Sequence, residues 1–129
     1  MHPRVLIVED DDVIREVYAM KFELEGYPVA VAADGAAALK VAEDFKPDVI
    51  LLDMMMPVMD GLNFMKRYLN PYNAGPQAEI IVFSNISAPH QMNEVMELGA
   101  ADYWVKSDYT PEQVVGAVSK RWQRQAFNR

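Results

Sequence analysis

The sequence has no cysteine, only two histidines, and no long uninterrupted apolar run. Without cysteine there is neither a disulfide nor a thiolate metal site, so any metal must be bound mainly by oxygen ligands. No apolar stretch approaches the roughly 20 residues that a membrane-spanning helix needs. The N-terminus, MHPRVLIVED, leads directly into strand-like sequence without a signal-peptide pattern. We therefore expect a cytoplasmic protein that does not associate with a membrane.

The composition is typical of one soluble globular domain. The 129 residues are 51% hydrophobic and 24% charged, and they contain no repeat or linker, which predicts a single domain over residues 1–129. The net charge of −7 disfavours direct binding to nucleic acid. The basic segment KRWQRQAFNR is better explained as a last helical turn that complements the helix dipole. No output domain follows Arg129, which leaves a stand-alone protein and a piece of a longer protein as alternatives.

Five short apolar runs alternate with longer segments of helical periodicity. In the first such segment, apolar residues recur at helical spacing and stop before Gly26, a residue suited to ending a helix. Strict alternation with nearly continuous apolar strands predicts a doubly wound α/β fold, a five-stranded parallel sheet covered by five helices on both faces. The predicted strands are residues 5–8, 29–32, 48–52, 79–83 and 102–105, and the apolar positions of the first helix are Val13, Val17, Met20 and Leu24.

Capping residues place the starts of the other helices. Asp34 is the predicted N-cap of the second helix, which ends before Pro47. Thr110 and Gln113 form a predicted capping box at the start of the last helix, with Pro111 in its first position. The third helix is predicted over 61–69, ended by the turn cluster NPYNAGP, and the fourth over 89–99. The predicted inward positions of the second helix are Ala38, Leu39, Ala42 and Phe45.

Polar side chains follow four of the predicted strands at the edge where ligands collect in such sheets. Several carboxylates stay ionised together only if a cation lies among them, and an oxygen-only set favours Mg²⁺, with Mn²⁺ as the alternative. A carboxylate can also attack a phosphoryl donor, and an ammonium and a hydroxyl then suit the phosphoryl oxygens. A lone acid at a strand end is usually a cap or a turn residue, but the joint placement favours a phosphoryl site on Asp53. The residues are Glu9, Asp10, Asp53, Ser84 and Lys106.

With these residues and the stretch LLDMMMPVMDG, the chain resembles a response-regulator receiver domain over residues 4–125. The resemblance implies the strand order 2-1-3-4-5. It also implies that Asp53 is the phosphoacceptor and that Asp10 binds the metal directly while Glu9 acts mainly through water. The third protein ligand is then the backbone carbonyl of Met55. The remaining implied roles are Ser84 as the switch hydroxyl, Tyr103 as the switch aromatic residue and Lys106 as the lysine that the family retains.

The resemblance further implies a function in two-component signalling. A sensor histidine kinase or a phosphotransfer protein would supply the phosphoryl group, and Ser84 would move toward it. Tyr103 would then turn inward and change the surface of helix 4, strand 5 and helix 5, which a downstream protein reads. The chain would not be a turnover enzyme. One departure from the family is Ser107, where a proline usually follows the lysine, so the Lys106–Ser107 bond is either cis, at a cost of about 3 kcal/mol, or trans with a different loop.

Three other classes compete with this interpretation. A haloacid-dehalogenase-type phosphatase needs a second aspartate two residues after the nucleophile, and Met55 stands there. A nucleotide- or flavin-binding domain needs a glycine-rich first loop, whereas the first strand is followed by acidic residues. A non-catalytic scaffold would leave Lys106 and the acidic pair unexplained.

Overall fold

The computed structural model describes residues 2–70, 72 and 77–127 of the chain. Within these residues, no helix combines the length and the apolar character required to cross a bilayer. Part of the predicted turn cluster NPYNAGP lies outside the described residues. The elements in chain order are β1 Val5–Val8, α1 Asp12–Leu24, β2 Val29–Ala32, α2 Gly35–Phe45, β3 Val49–Leu52, α3 Gly61–Tyr68, β4 Glu79–Ser84, α4 Pro89–Leu98, β5 Asp102–Val105 and α5 Pro111–Phe127.

The five strands form one parallel sheet in the order β2-β1-β3-β4-β5. This arrangement confirms the predicted doubly wound fold and its strand order. Val8 lies opposite Leu52 in the register of β1 and β3, so these two neighbouring strands end together. In β4 and β5, Ser84 lies opposite Val105. The residues that follow β1, β3 and β5 are thereby brought to the same edge of the sheet as Ser84.

Alternate residues of the strands enter two separate hydrophobic cores. Leu6 and Val8 belong to the core that α2, α3 and α4 cover. Val5 and Ile7 belong to the core on the other face, where α1 and α5 pack. Because both faces are covered, β1 and β3 are buried along their full length, which explains their continuous apolar sequence.

Aspartate side chains cap the starts of α1, α2 and α3, and a capping box begins α5. Asp34 accepts a hydrogen bond from the backbone of Ala37, as the sequence predicted. The Thr110 backbone donates to the Gln113 side chain over 2.9 Å, and the Gln113 backbone donates to the Thr110 hydroxyl over 3.2 Å, which confirms the capping box. Asp11 caps α1 in the same way as Asp34 caps α2. One member of the acidic run is therefore used to start a helix.

The apolar stripe that predicted α1 is not the face that packs on the sheet. The helix lies where it was predicted, but Val13 is 70% exposed, Met20 59% and Leu24 76%. The buried face carries Tyr18 and Phe22 instead. α1 has two apolar stripes, and the one with the large aromatic rings removes more apolar surface from water.

Gly116 in the middle of α5 tests how much helix propensity contributes to the stability of this fold. A Cβ atom built there meets no atom within 4 Å, so alanine adds helix propensity without a clash. We expect Gly116→Ala to raise the free energy of unfolding by about 0.5–1 kcal/mol in urea denaturation.

Gly61 supplies the matched control. A Cβ atom there would lie 2.5 Å from the backbone oxygen of Asp53, so Gly61→Ala should destabilise the fold in the same measurement. A stability of Gly116→Ala below that of the wild type would contradict the prediction.

Candidate functional site

Three carboxylates meet at the carboxyl ends of β1 and β3. Carboxylate oxygens of Glu9, Asp10 and Asp53 all lie within 4.8 Å of one another. Glu9 is only 4% exposed and Asp53 only 7%, whereas Asp10 is exposed. Two acidic side chains are therefore largely removed from water, a placement that is unfavourable without a compensating cation.

Lys106 supplies positive charge to this cluster. It begins a short 3-10 turn, Lys106–Asp108, directly after β5. Its ammonium group donates to both carboxylate oxygens of Glu9 over 3.0 Å and lies 3.5 Å from Asp53 Oδ2. The lysine thus links β5 to the ends of β1 and β3.

The charge balance of the cluster leaves room for a second cation. The cluster holds three carboxylates, and the one ammonium group in contact with it, that of Lys106, pairs with Glu9 and Asp53, so negative charge is in excess. The available donors are hard oxygens, which suit Mg²⁺ or Mn²⁺. Glu9, Asp10 and Asp53 therefore fit the predicted metal site. The Met55 carbonyl as a further ligand stays a prediction.

The carboxyl group of Glu9 has a pKa shifted from its ordinary value. Burial raises the pKa of the Glu9 carboxyl group from 4.5 to about 7, and Asp53 adds to the rise while Lys106 opposes it. With a pKa of about 7, the Glu9 carboxyl group gains or loses its proton near neutral pH.

The loop after β3 holds Asp53 in place through its backbone. The Asp53 amide donates to the carbonyl of Val8 over 3.0 Å, and the amide of Met55 lies 3.4 Å from Asp53 Oδ1. Gly61 permits the loop to fold back, because any side chain there would strike the Asp53 carbonyl. The Met55 side chain itself is exposed and brings no acid to the pocket.

Ser84 and Tyr103 are joined through the backbone of Ile86. The Ile86 amide donates to the Ser84 hydroxyl oxygen over 3.2 Å, and the Tyr103 hydroxyl donates to the Ile86 carbonyl. The side chain of Tyr103 is already half-buried in this structure. Burial raises the pKa of Tyr103, and a hydrogen bond with Ser84 opposes the rise. The two predicted switch residues therefore share one loop residue.

The loop after Lys106 resolves one of the alternatives that the sequence left open. The described residues contain no cis peptide bond, so the Lys106–Ser107 bond is trans. The chain continues from it into the 3-10 turn Lys106–Asp108.

The family profile of the response regulator receiver domain matches residues 5–119. The chain belongs to this receiver domain family. One relative is the transcriptional regulatory protein PrrA of Mycobacterium tuberculosis. The two sequences are 38% identical over 104 residues, which cover 81% of this chain and 43% of the relative. A second relative is the alkaline phosphatase synthesis transcriptional regulatory protein PhoP of Bacillus subtilis. It is 34% identical to this chain, and the matched region covers 88% of this chain and 46% of PhoP. The receiver chain thus spans about half the length of these relatives.

Solved receiver domains have the same fold. The chemotaxis protein CheY4 of Vibrio cholerae superposes with a TM-score of 0.79 at 31% identity, covering 93% of this chain and 98% of that one. The receiver domain of the Francisella response regulator 1452 gives a TM-score of 0.79 at 28% identity, with 96% and 99% covered. A receiver domain protein of Methanospirillum hungatei, at 23% identity, shares the fold over both whole chains with a TM-score of 0.85.

The structure brings Glu9, Asp10, Asp53 and Lys106 of this receiver domain together at one edge of the sheet. Ser84 ends β4 at the same edge, whereas Tyr103 lies within β5 and is linked to Ser84 through Ile86.

The sequence did not predict two further contributions, the backbone of Ile86 and the side chain of Tyr18. Ile86 takes part through its backbone, which any residue type provides, so no pattern could have indicated it. Tyr18 lines a small cavity together with Glu9 and Asp53, and only its place on the buried face of α1 would have pointed to it.

The raised pKa of Glu9 makes the stability of the receiver domain depend on pH. Since this pKa is higher in the folded chain than its ordinary value of 4.5, protonation of Glu9 favours folding. This stabilisation is complete below about pH 4.5 and is lost as the pH rises through about 7. We expect the free energy of unfolding of the wild type, relative to that of Glu9→Gln, to fall by roughly 1–3 kcal/mol between pH 5 and pH 8 in urea with EDTA.

Glu16→Gln is the control, because Glu16 is an exposed acid on α1. Its difference from the wild type should stay nearly constant over the same range. A pH-independent difference for Glu9→Gln would contradict the prediction.

Proposed function

We propose that this receiver domain accepts a phosphoryl group on Asp53 and relays its presence to a protein partner. The observation that supports this proposal best is the Lys106 ammonium group held between the buried carboxylates of Glu9 and Asp53. A simple structural ion pair needs one carboxylate, whereas Lys106 contacts two and the carboxylate of Asp10 lies beside those two. Such an arrangement suits a site that binds and releases a metal ion and a phosphoryl group.

The chemistry is the transfer of one phosphoryl group from a phosphorylated histidine of the donor to the carboxylate of Asp53. A carboxylate oxygen of Asp53 forms a bond to phosphorus while the bond from phosphorus to the donor's histidine nitrogen breaks, and that nitrogen retains the electron pair. Lys106, 3.5 Å from Asp53 Oδ2, is placed to neutralise charge on the transferred group. A Mg²⁺ ion held by Glu9, Asp10 and Asp53 would supply further neutralisation of the phosphoryl oxygens.

The phosphoryl group would act on the rest of the domain by changing the hydrogen bonds of Ser84. A phosphoryl group adds about 1.5 to 2 negative charges and new acceptor oxygens, so the Ser84 hydroxyl gains a partner. Because the Ile86 amide donates to the oxygen of that hydroxyl, movement of Ser84 disturbs the loop that also holds Tyr103. The surface of α4, β5 and α5 then differs between the two states and forms the output surface.

The partners follow from this cycle. A sensor histidine kinase or a phosphotransfer protein supplies the phosphoryl group in the cytoplasm, and a downstream protein binds the output surface. The domain is phosphorylated and dephosphorylated in turn and does not process a substrate as a turnover enzyme does. The net charge of −7 argues against direct contact with nucleic acid by this domain.

The exposed stripe on α1 supports a helical phosphoryl donor. Val13, Val17, Met20 and Leu24 are spaced by four, three and four residues, the spacing of the a and d positions in a coiled coil. The exposed acids Glu16 and Glu23 flank this stripe. The stripe also begins three residues after Asp10, beside the pocket. A partner helix with an apolar seam and basic flanks would therefore place its histidine at Asp53.

Incubation with acetyl phosphate and Mg²⁺ tests the phosphoryl chemistry directly. We expect one phosphoryl adduct on the wild type by intact mass and none on Asp53→Ala, because the nucleophile is then missing. Asp12→Asn, which alters an exposed acid of the same acidic run, should be labelled as the wild type is.

The same reaction tests the relay. Ser84→Ala should take up the phosphoryl group, but the backbone amide resonances of Ile86 and Tyr103 should shift much less on phosphorylation than in the wild type. An adduct on Asp53→Ala would refute the site, and an undiminished response in Ser84→Ala would refute the coupling.

The donor-docking surface is tested by making the stripe polar. Met20→Gln should slow phosphotransfer from a histidine kinase that labels the wild type by roughly tenfold, because a buried apolar contact is lost. Labelling by acetyl phosphate should stay unchanged, since that donor needs no helix.

Met96→Gln is the matched control, because Met96 is an exposed methionine on α4 rather than on α1. Equal slowing by both variants would contradict the assignment. A wild-type dimer that Met20→Gln dissociates in analytical ultracentrifugation would instead identify a second copy of the chain as the occupant.

A further inference from the structure

Arg15 carries a positive charge at the end of α1 where helices favour a negative one. The amino end of a helix has a partial positive charge, so acids are stabilising there and cations are not. Arg15 is the fourth residue of α1, Asp12–Leu24, and its side chain is only 16% exposed. Helix preferences therefore do not explain an arginine at this position, and its contacts outside the helix become informative.

The guanidinium group of Arg15 reaches back over the start of the helix to the loop between β1 and α1. Its Nη1 atom donates to the backbone carbonyl of Glu9 over 2.8 Å and lies 3.5 Å from the backbone carbonyl of Asp10. Its Nη2 atom donates to the carboxylate of Asp12. The planar fork of one guanidinium group thus holds this short segment at separate points, which the single ammonium group of a lysine does not match.

These contacts fix the backbone of two residues that belong to the carboxylate cluster. The Glu9 amide donates to the carbonyl of Ala32 over 3.0 Å, so the bond from Arg15 completes the pairing of its backbone. The carboxylate of Asp10 forms no hydrogen bond or ion pair with any other described residue. Its place beside the oxygens of Glu9 and Asp53 is therefore set by the backbone that Arg15 contacts.

The charge of Arg15 is not spent on the carboxylate oxygens of the cluster. Among the described residues, its ion-pair partner is Asp12, an exposed acid outside the cluster. Lys106 is the cation that contacts Glu9 and Asp53. Arg15 can therefore order the loop while the carboxylate oxygens keep their negative charge for a metal ion.

We propose that Arg15 is a positioning residue of the metal site, whose guanidinium group holds the backbone of Glu9 and Asp10 so that their carboxylates lie beside Asp53 before a metal ion binds. An ordered loop lowers the cost of binding, because less freedom is lost when the ion arrives. Arg15 acts only through the loop and contacts neither the ion nor the phosphoryl group. The inference rests on the proposed function, because it assigns Arg15 to the same metal-dependent site.

Arg15→Lys keeps the positive charge and removes the fork. We expect the dissociation constant for Mg²⁺, measured by calorimetry, to rise about tenfold, the low end of the effect of groups that orient metal ligands. The Mg²⁺ concentration for half-maximal labelling by acetyl phosphate should rise by the same factor. The maximal rate at saturating Mg²⁺ should stay within about twofold of the wild type, because Arg15 contacts none of the reacting atoms.

Arg15→Gln separates positioning from charge. If Arg15 acted through its charge alone, its removal would strengthen Mg²⁺ binding, because one repelling cation is lost, and Arg15→Lys would bind as the wild type does. Positioning predicts that both variants bind Mg²⁺ more weakly than the wild type.

Arg4→Lys is the matched control. The guanidinium group of Arg4 also donates to a backbone carbonyl, that of Phe45, over 2.9 Å. Arg4 precedes β1, however, at the opposite end of this strand from the site. Arg4→Lys and Arg15→Lys should both lower Tm in thermal unfolding, because each loses such a hydrogen bond. Only Arg15→Lys should change the Mg²⁺ affinity, which a purely structural role would leave unaltered.

Hydrogen exchange of the metal-free chain in EDTA provides a readout that needs no metal. The Glu9 amide, which bonds to Ala32, should exchange roughly tenfold faster in Arg15→Lys than in the wild type, because the loop opens more readily once the charged hydrogen bond is lost. In Arg4→Lys the Glu9 amide should exchange as in the wild type.

Unchanged Mg²⁺ affinity in Arg15→Lys, tighter binding in Arg15→Gln or unchanged exchange of the Glu9 amide in Arg15→Lys would each overturn the proposal, while leaving the phosphorylation of Asp53 intact. If the wild type bound Mg²⁺ but took up no phosphoryl group, the proposed function would fail and the role of Arg15 would still be decided by Mg²⁺ binding. A wild type that bound no Mg²⁺ would overturn both.

Discussion

The contact of Lys106 with Glu9 and Asp53 is the interaction on which the site depends. Two carboxylates that are almost wholly buried would be costly without it, because each loses its hydration. The lysine is delivered by the end of β5, and the acids by the ends of β1 and β3. The contact therefore exists only when strands distant in sequence are in register. The pocket forms only when the sheet has formed. The excess of negative charge that remains is what gives the pocket its capacity for a metal ion.

Much of this arrangement could be predicted from the sequence, because its determinants are local. The strands are short continuous apolar runs, and Asp34 and the Thr110–Gln113 pair begin helices through contacts within one turn. The convergence of Glu9, Asp53 and Lys106 then followed from a parallel sheet, in which the carboxyl ends of the strands share an edge. The position of β1 beside β3 came from the family resemblance and not from the spacing of residues.

The features that could not be predicted depend on tertiary packing, which the local sequence does not determine. α1 has two stripes at helical spacing, and periodicity alone does not say which one the sheet covers. Tyr18 and Phe22 are buried and Val13 is not, because the aromatic side chains pack in the core on this face of the sheet, Tyr18 against Phe83 and Phe22 against Tyr27. The role of Ile86 left no trace in the sequence for a different reason, since its contribution is an amide and a carbonyl. The cavity beside Tyr18 likewise depends on how several side chains pack.

Under the proposed function, the shared hydrogen bonds of Ile86 have a consequence for the downstream protein. If its binding favours one arrangement of Tyr103, that preference is transmitted through Ile86 to Ser84 and so to the group on Asp53. Thermodynamic linkage is reciprocal, so a target that binds the phosphorylated chain more tightly must by the same factor shift the phosphorylation equilibrium toward it. A higher concentration of the target would then raise the phosphorylated fraction of the chain. The phosphorylation level of the receiver would therefore depend on the amount of its target as well as on the activity of its kinase.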